Sequence, residues 1–389
     1  MTPTPGTGEL GIVLSGGGAR SAYQVGVLRG LAKRFPQMSF PIIAGVSAGA
    51  INAAQLAAHP GTMAEAALEL AQTWSRLHVE NIFQVDPPSL TRDALRWVRW
   101  ASRLVGDDGV GPVRGFVDTQ PLRETIQRAA TTVDGELIGI ENNLRQGKLK
   151  ALALTALDYA TGQTVTWVQG RNLVPWRRPE LRSVHTRITV DHVMASSALP
   201  LVFPAVRLGD SWYGDGGVRL SAPLSPALRL GASRILAISP RYERSLEEVN
   251  RPQIWGYPQA AQILSHLLDA VFLDVLDEDV RRLQGMNSVI SRLPPEERGE
   301  YRLVEILVMR PSVDLGQLAV DYEPRLPERF RLLARSLGTG EGTTSDFLSM
   351  LMFQPDYLEC LMQIGEADAE ARMGEIRGLL EGDPHPRPL

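Results

Sequence analysis

An α/β fold built on a largely parallel sheet is what this 389-residue sequence predicts. The first reason is alternation: short apolar runs read as strands, and segments of helical period follow them in turn. The second is composition, since 44% hydrophobic and 22% charged residues suit a globular chain with a sizeable core. The third is a late apolar run near residue 305, which looks like a strand that completes the sheet.

The N-terminal elements come in strict order. "ELGIVL" (9–14) reads as a short buried strand, followed by Gly16, Gly17 and Gly18 and a helix over about 22–35. "FPIIAG" (40–45) is a second strand, 47–59 a helix and 62–78 a further helical pattern. "KLKALALTALD" (148–158) and "TVTWVQG" (164–170) are strands joined by a turn at Ala160-Thr161-Gly162. "SRILAIS" (233–239) is a buried strand, 258–292 a long helical stretch and "RLVEILVMR" (302–310) the last strand. This order makes about 241–300 a helical insertion in a unit spanning 8–312, with 313–389 a helical C-terminal extension. Pro324, Pro327 and "GTGEGTTSD" (338–346) mark loops, and Pro355 breaks the helical pattern of 347–381.

Charge and cysteine use exclude some classes. A net charge of −4 gives no global attraction to nucleic acid. Cys360 is the sole cysteine, so no internal disulfide forms, which suits a reducing compartment. "MTPTPGTGEL" shows no secretory signal, and no apolar run is long enough to span a bilayer. The expectation is a cytoplasmic protein that meets a membrane, if at all, peripherally. Oligomeric state is not legible.

"GIVLSGGGAR" (11–20) raises a chemical choice. A strand, glycines and a helix start together form an anion site, because backbone N–H groups at a helix N-terminus are unpaired. A dinucleotide fingerprint fails where Ser21 stands in place of the last glycine and where the second strand ends without an acid. A P-loop fails for lack of its Gly-Lys-Ser/Thr. The remaining use is an oxyanion hole, and that requires a nucleophile. Gly45-Val46-Ser47-Ala48-Gly49 supplies one as G-x-S-x-G, between a predicted strand and a predicted helix. The bland alternative is a packing turn in which Ser47 only caps its helix.

Ser47 needs a base. The histidines are His59, His78, His185, His192, His266 and His385, and none stands in a motif of its own. His192, in "VDHVMASSALP", reads as part of a helix face. Asp215, in "SWYGDGGVRL", lies between Gly214 and Gly216-Gly217, where the backbone turns freely, though D-G taken alone reads as an ordinary turn.

Taken together, "SGGGAR" (15–20), "GVSAG" (45–49), "MASSALPLVFPAV" (194–206) and "DGG" (215–217) resemble the patatin-like phospholipase family, in the family's order and over roughly 8–310. The resemblance implies a three-layer α/β/α hydrolase with a Ser–Asp dyad and neither histidine, metal nor cofactor. Ser47 would be the nucleophile, Asp215 the base and Gly16, Gly17 and Gly18 the oxyanion loop. Arg20, Gly45, Gly49, Gly216 and Gly217 match motif positions that support them. Ser21 departs from the glycine many members carry. The implied activity is hydrolysis of a lipid acyl ester. Transfer of the acyl group to an alcohol, and lipid binding without catalysis, are the alternatives.

Two stretches suit a lipid surface. "TRDALRWVRWASRLV" (91–105) sets Trp97 and Val98 on one helical face, with Arg92, Arg96, Arg99 and Arg103 flanking it. Packing on the core is the competing reading. "VPWRRPELRSVHTR" (174–187) is a second basic stretch, read as a loop. The Phe-, Met- and Leu-rich 345–365 reads as a helix docked over the core, with a lipid-facing cap as the alternative.

Overall fold

The computed structural model describes residues 9–84, 117–250, 275–331 and 346–382, together with 266 and 270 and without 172, 201, 300 and 329. The 91–105 stretch therefore lies outside the described residues.

Ten strands form the main sheet: β1 (Glu9–Leu14), β2 (Ile42–Val46), β3 (Ala151–Asp158), β4 (Gln163–Gly170), β5 (Arg177–Arg178), β6 (Leu181–His185), β7 (Val206–Leu208), β8 (Ser211–Asp215), β9 (Ala232–Ile238) and β10 (Glu305–Met309). The order across it is β10-β9-β1-β2-β3-β4-β6-β5. The run from β10 to β3 is parallel throughout, as the alternation of strands and helices requires. β4 then returns antiparallel to β3 through the turn at 160–162. The 174–187 stretch, expected as a loop, instead supplies edge strands β5 and β6. Arg177, Arg178 and Arg187 are exposed and Arg182 pairs with the buried Asp158, so the stretch shows no apolar run, and such charge is a common protection for a sheet edge.

Alternation along the central strands divides the core in two. Ile12, Leu14, Ile43, Leu152 and Leu154 point to one face. Val13, Ile42, Ala44, Ala151 and Ala153 point to the other. The first face is covered by α1 (Ala22–Arg34), α2 (Ala48–Ala58), α3 (Met63–Trp74), α4 (Gln120–Ala129), α5 (Ile138–Arg145) and α6 (Val190–Ser196). The second is covered by α7 (Ser225–Arg229) and α8 (Val275–Ile290). Three layers result, with side chains buried on both sides of the sheet.

Three more helices, α9 (Asp346–Leu351), α10 (Pro355–Ala371) and α11 (Met373–Glu381), close the first face. Pro355 starts α10, the break that its sequence implied. Gly26 of α1 and Gly365 of α10 make the packing close: a Cβ on either would collide with backbone of the opposite helix. Arg29, with Glu359 and Glu366, ties the same pair of helices along their rim. Among the described residues, no helix is long and apolar enough to cross a membrane.

Candidate functional site

β2 ends at Val46 and delivers Ser47 into a turn with φ 58° and ψ −135°, left-handed backbone that a non-glycine residue rarely adopts. Small neighbours make the turn feasible. Gly49 sits where a Cβ would collide with the carbonyls of Leu14 and Ser15, so α2 starts hard against the end of β1. Gly45 is paired with Leu14 and would meet Ala53 at 2.7 Å if it carried a Cβ. The Ser47 N–H donates to Ser196 Oγ at 3.3 Å, and that hydroxyl donates onward to the Thr155 carbonyl at 2.6 Å.

Asp215 reaches the same place from the opposite direction. β3 outruns β2: Val46 pairs with Thr155, and from Ala156 onward β3 pairs instead with β8, antiparallel. The pair Asp215 and Ala156 is thus adjacent to the pair Val46 and Thr155. Two strands running head to head against one neighbour bring Ser47 and Asp215 together across 168 residues of chain. The Asp215 N–H donates to the Ala198 carbonyl at 2.9 Å, so the 194–206 segment holds both residues. Gly216 is forced small, since a Cβ there would meet the Thr155 carbonyl.

Asp215 is fully buried. Its Oδ1 accepts the Gly217 N–H at 2.8 Å, while Oδ2 has no hydrogen-bond partner among the described residues. Burial pushes its pKa up to about 7, against the opposing pull of the nearby Ser47 hydroxyl and the Gly217 N–H. The Ser47 hydroxyl thus lies close enough to act on the carboxylate.

The glycine loop lies against the serine. A Cβ on Gly16 would stand 2.9 Å from Ser47 Cβ and 3.4 Å from its Oγ. Gly17 abuts Pro240, and Gly18, at φ 55°, abuts the Met350 carbonyl. Among the described residues, nothing accepts from the N–H groups of Gly16, Gly17 or Gly18. A buried relay fixes the start of the loop: Trp74 Nε1 donates to Asn52, Asn52 Nδ2 to Gln24 at 3.0 Å, and Gln24 Nε2 to the Ser15 carbonyl at 2.7 Å.

Arg20 is buried. Its guanidinium donates to Asp346 and Ser349 of α9. Burial works against its charge, but Asp346 outweighs it and the pKa ends above the ordinary value. Burial likewise pushes the Asp346 carboxyl up, and Arg20 overrides it, leaving it below its usual range. Gln24, Asn52 and Asp346 had no motif to announce them, and Ser196 had only its place in the 194–206 segment. The one available signal was the excess of small polar residues in "MASSALP".

His192 has another task. It closes a capping box at the start of α6, with Nδ1 2.7 Å from Thr189 Oγ1 and its ring edge-on to Trp167. Burial lowers its pKa to about 4. None of the described histidines hydrogen-bonds to Ser47 or Asp215. Among the described residues, no group of His, Cys, Asp and Glu side chains forms a metal-binding cluster.

An apolar cavity opens from Ser47 and Gly18 on the first face of the sheet. Ile51, Trp74, Leu122, Phe203, Met350 and Phe353 are among its walls. The hydrophobic tail expected to dock over the core does so, and in docking it also lines this cavity.

The family model for patatin-like phospholipase matches residues 12–228. No curated protein matches the sequence. Among solved structures, human GIVD cytosolic phospholipase A2 is similar at 12% identity and a TM-score of 0.47, covering 96% of this chain and 60% of its own. The type III effector ExoU of Pseudomonas aeruginosa is similar at 15% identity and a TM-score of 0.36, covering 94% and 54%. VipD from Legionella pneumophila is similar at 14% identity and a TM-score of 0.33, covering 92% and 67%. The chain spans less than two thirds of the length of the first two.

Proposed function

The chain belongs to the patatin-like phospholipase family, and from that premise we propose that it is a serine lipid acyl hydrolase working through a Ser47–Asp215 dyad. The observation that supports this reading best is the meeting of the two side chains at adjacent residues of β3, at the mouth of an apolar cavity. Asp215, buried and raised to about 7, is poised to exchange a proton near neutral pH.

The steps follow from that arrangement. Asp215 Oδ2 takes the hydroxyl proton as Ser47 Oγ bonds to the ester carbonyl carbon. The N–H groups of Gly16, Gly17 and Gly18 bind the oxyanion, a charge that exists only in transit. The ester C–O bond breaks, and the leaving alkoxide takes the proton from Asp215. Water, deprotonated by Asp215, attacks the acyl-enzyme; the fatty acid leaves and Ser47 recovers its proton. No step calls for a metal or cofactor. The hydrolase unit is proposed as residues 8–312, with 313–389 as a helical extension whose Met350, Leu351 and Phe353 wall the acyl cavity, and the basic 91–105 stretch is the part assigned to an anionic lipid surface.

A fluorophosphonate probe tests the reading. It should label the wild type and neither Ser47→Ala nor Asp215→Asn, and both variants should lose at least about a thousand-fold in kcat while staying folded. In the wild type kcat/KM should rise with pH through about 7, because the base must be ionised. Equal labelling of wild type and Ser47→Ala sinks the assignment. An added alcohol acceptor, with products followed by mass spectrometry, separates hydrolysis from acyl transfer.

A further inference from the structure

The apolar cavity that opens from Ser47 holds one polar group that the proposed reaction does not use. Ser47, Ile51 and Gln55 follow one another at a spacing of one helical turn, so a single stripe of α2 runs along the cavity wall from the nucleophile to the Gln55 amide. Gln55 is 8% exposed, yet its side chain makes no hydrogen bond among the described residues. The other polar side chains of the described lining are engaged. Thr73 Oγ1 donates to the Glu69 carbonyl at 3.1 Å, Thr125 Oγ1 to the Asn81 carbonyl at 3.1 Å and Ser197 Oγ to the Val193 carbonyl at 2.9 Å. Trp74 gives its N–H to Asn52 at 2.9 Å. None of the described lining residues is charged. Besides Ser47, Gln55 is therefore the one side chain there with donors to spare, and its Oε1 is a free acceptor as well. An amide buried without a partner costs free energy, so its place in the wall asks for a partner that arrives with the substrate.

Distance says which part of a substrate would meet it. Eight residues of helix rise about 12 Å, and helical side chains lean back toward the N-terminus, which leaves the amide on the order of 10 Å from Ser47. A saturated chain in a staggered zigzag, with bonds of about 1.5 Å, covers that span in about eight to ten carbons. Resting on the hydrolase reading, we propose that Gln55 recognises an oxygen in the middle of the acyl chain, and that the cavity selects acyl esters hydroxylated about eight to ten carbons from the carbonyl over plain saturated ones.

The physical reason is the state in which each chain leaves the amide. A plain chain expels water from Gln55 and strands two N–H donors and a carbonyl. A hydroxyl at that depth accepts from Nε2 or donates to Oε1, while the rest of the chain is buried against Ile51, Trp74, Leu122 and Phe353. A site that pairs a substrate hydroxyl discriminates against the analogue that lacks it, because its own polar group is then left unpaired.

The experiment compares glycerol monoesters of octadecanoic, 10-hydroxyoctadecanoic and 18-hydroxyoctadecanoic acid in the same mixed detergent micelles, with the released acid followed by mass spectrometry. The 18-hydroxy chain carries the same group out of reach of Gln55. Wild type should favour the 10-hydroxy ester over both others by about tenfold in kcat/KM, the effect of one stranded amide. Gln55→Leu should lower that preference about tenfold, and from both ends: the 10-hydroxy ester slows, and the plain ester quickens because no amide is stranded. A merely structural loss would slow all three esters alike. Gln55→Met gives the same readout if the first variant fails to fold, and the wild-type preference needs no variant at all. No wild-type preference for the 10-hydroxy ester, an equal preference for the 18-hydroxy ester, or a preference that a folded variant leaves unmoved overturns the assignment. Fluorophosphonate labelling, run on the same samples, separates the two levels. If Ser47 labels and the preference does not depend on Gln55, the role of Gln55 alone falls. If Ser47 does not label, the hydrolase reading falls and takes this one with it.

Discussion

Two elements press on the glycine loop from opposite sides, and they are built on different principles. The elbow at Ser47 touches it through Gly16 and is made of backbone: strained dihedrals, glycines with no room for a Cβ, and an N–H held by Ser196. The C-terminal helices touch it through Gly18 and, beside the close glycine contacts at Gly26 and Gly365, add side chains: a buried Arg20–Asp346 pair, apolar contacts and a ladder of ion pairs along α1 and α10. Backbone packing tolerates almost no change, whereas side-chain packing fails by degrees. The first kind suits a nucleophile whose placement within about 1 Å decides the rate. The second suits a wall that shapes a cavity.

The sharpest way to break the elbow is Gly49→Ala. The new Cβ meets the Leu14 carbonyl, which belongs to a central strand and cannot move alone. Stability should fall by about 1–3 kcal/mol, and kcat by on the order of a hundredfold as Ser47 shifts. Denaturant unfolding and ester kinetics on the same preparation check both. Loss of stability with full kcat would mean that the elbow relaxes independently of its glycines.

Arg20→Met tests the other side. It leaves Asp346 without its main partner, and breaking a buried pair costs about 3–5 kcal/mol, less here because Asp346 keeps some exposure and lies near Arg244. A fall in thermal midpoint is expected, with a moderate loss of kcat/KM toward long-chain esters as Met350 and Phe353 loosen around the acyl cavity. If long and short esters decline equally, α9 does not shape the cavity.

At the rim the effect should nearly vanish. Arg34 Nε meets Glu370 at 3.0 Å, but both residues are more than half exposed. Glu370→Gln should leave the denaturant midpoint of unfolding almost unmoved. A larger loss would mean that the α1–α10 ion pairs act as one network.

What the sequence determined alone is what short range decides. The strand, the three glycines and the helix start announce a loop of unpaired N–H groups, and G-x-S-x-G announces a sharp turn, because only small residues fit such a turn whatever surrounds it. Apolar runs give the central strands for the same reason. Asp215 was not legible in that way: "DGG" is a turn anywhere, and this aspartate stands beside Ser47, where it is proposed as the base, only because β3 outruns β2 and pairs with β8 in the space left over. Resemblance to a family pointed to it as a candidate; local chemistry could not. Arg20 had a motif position but no partner, since Asp346 lies 326 residues away. The apolar cavity, the Gln24–Asn52–Trp74 relay and the edge strands of 174–187 likewise depend on which segments the fold brings together. Contacts between distant segments leave no period or spacing in the chain, and only the tertiary structure could decide them.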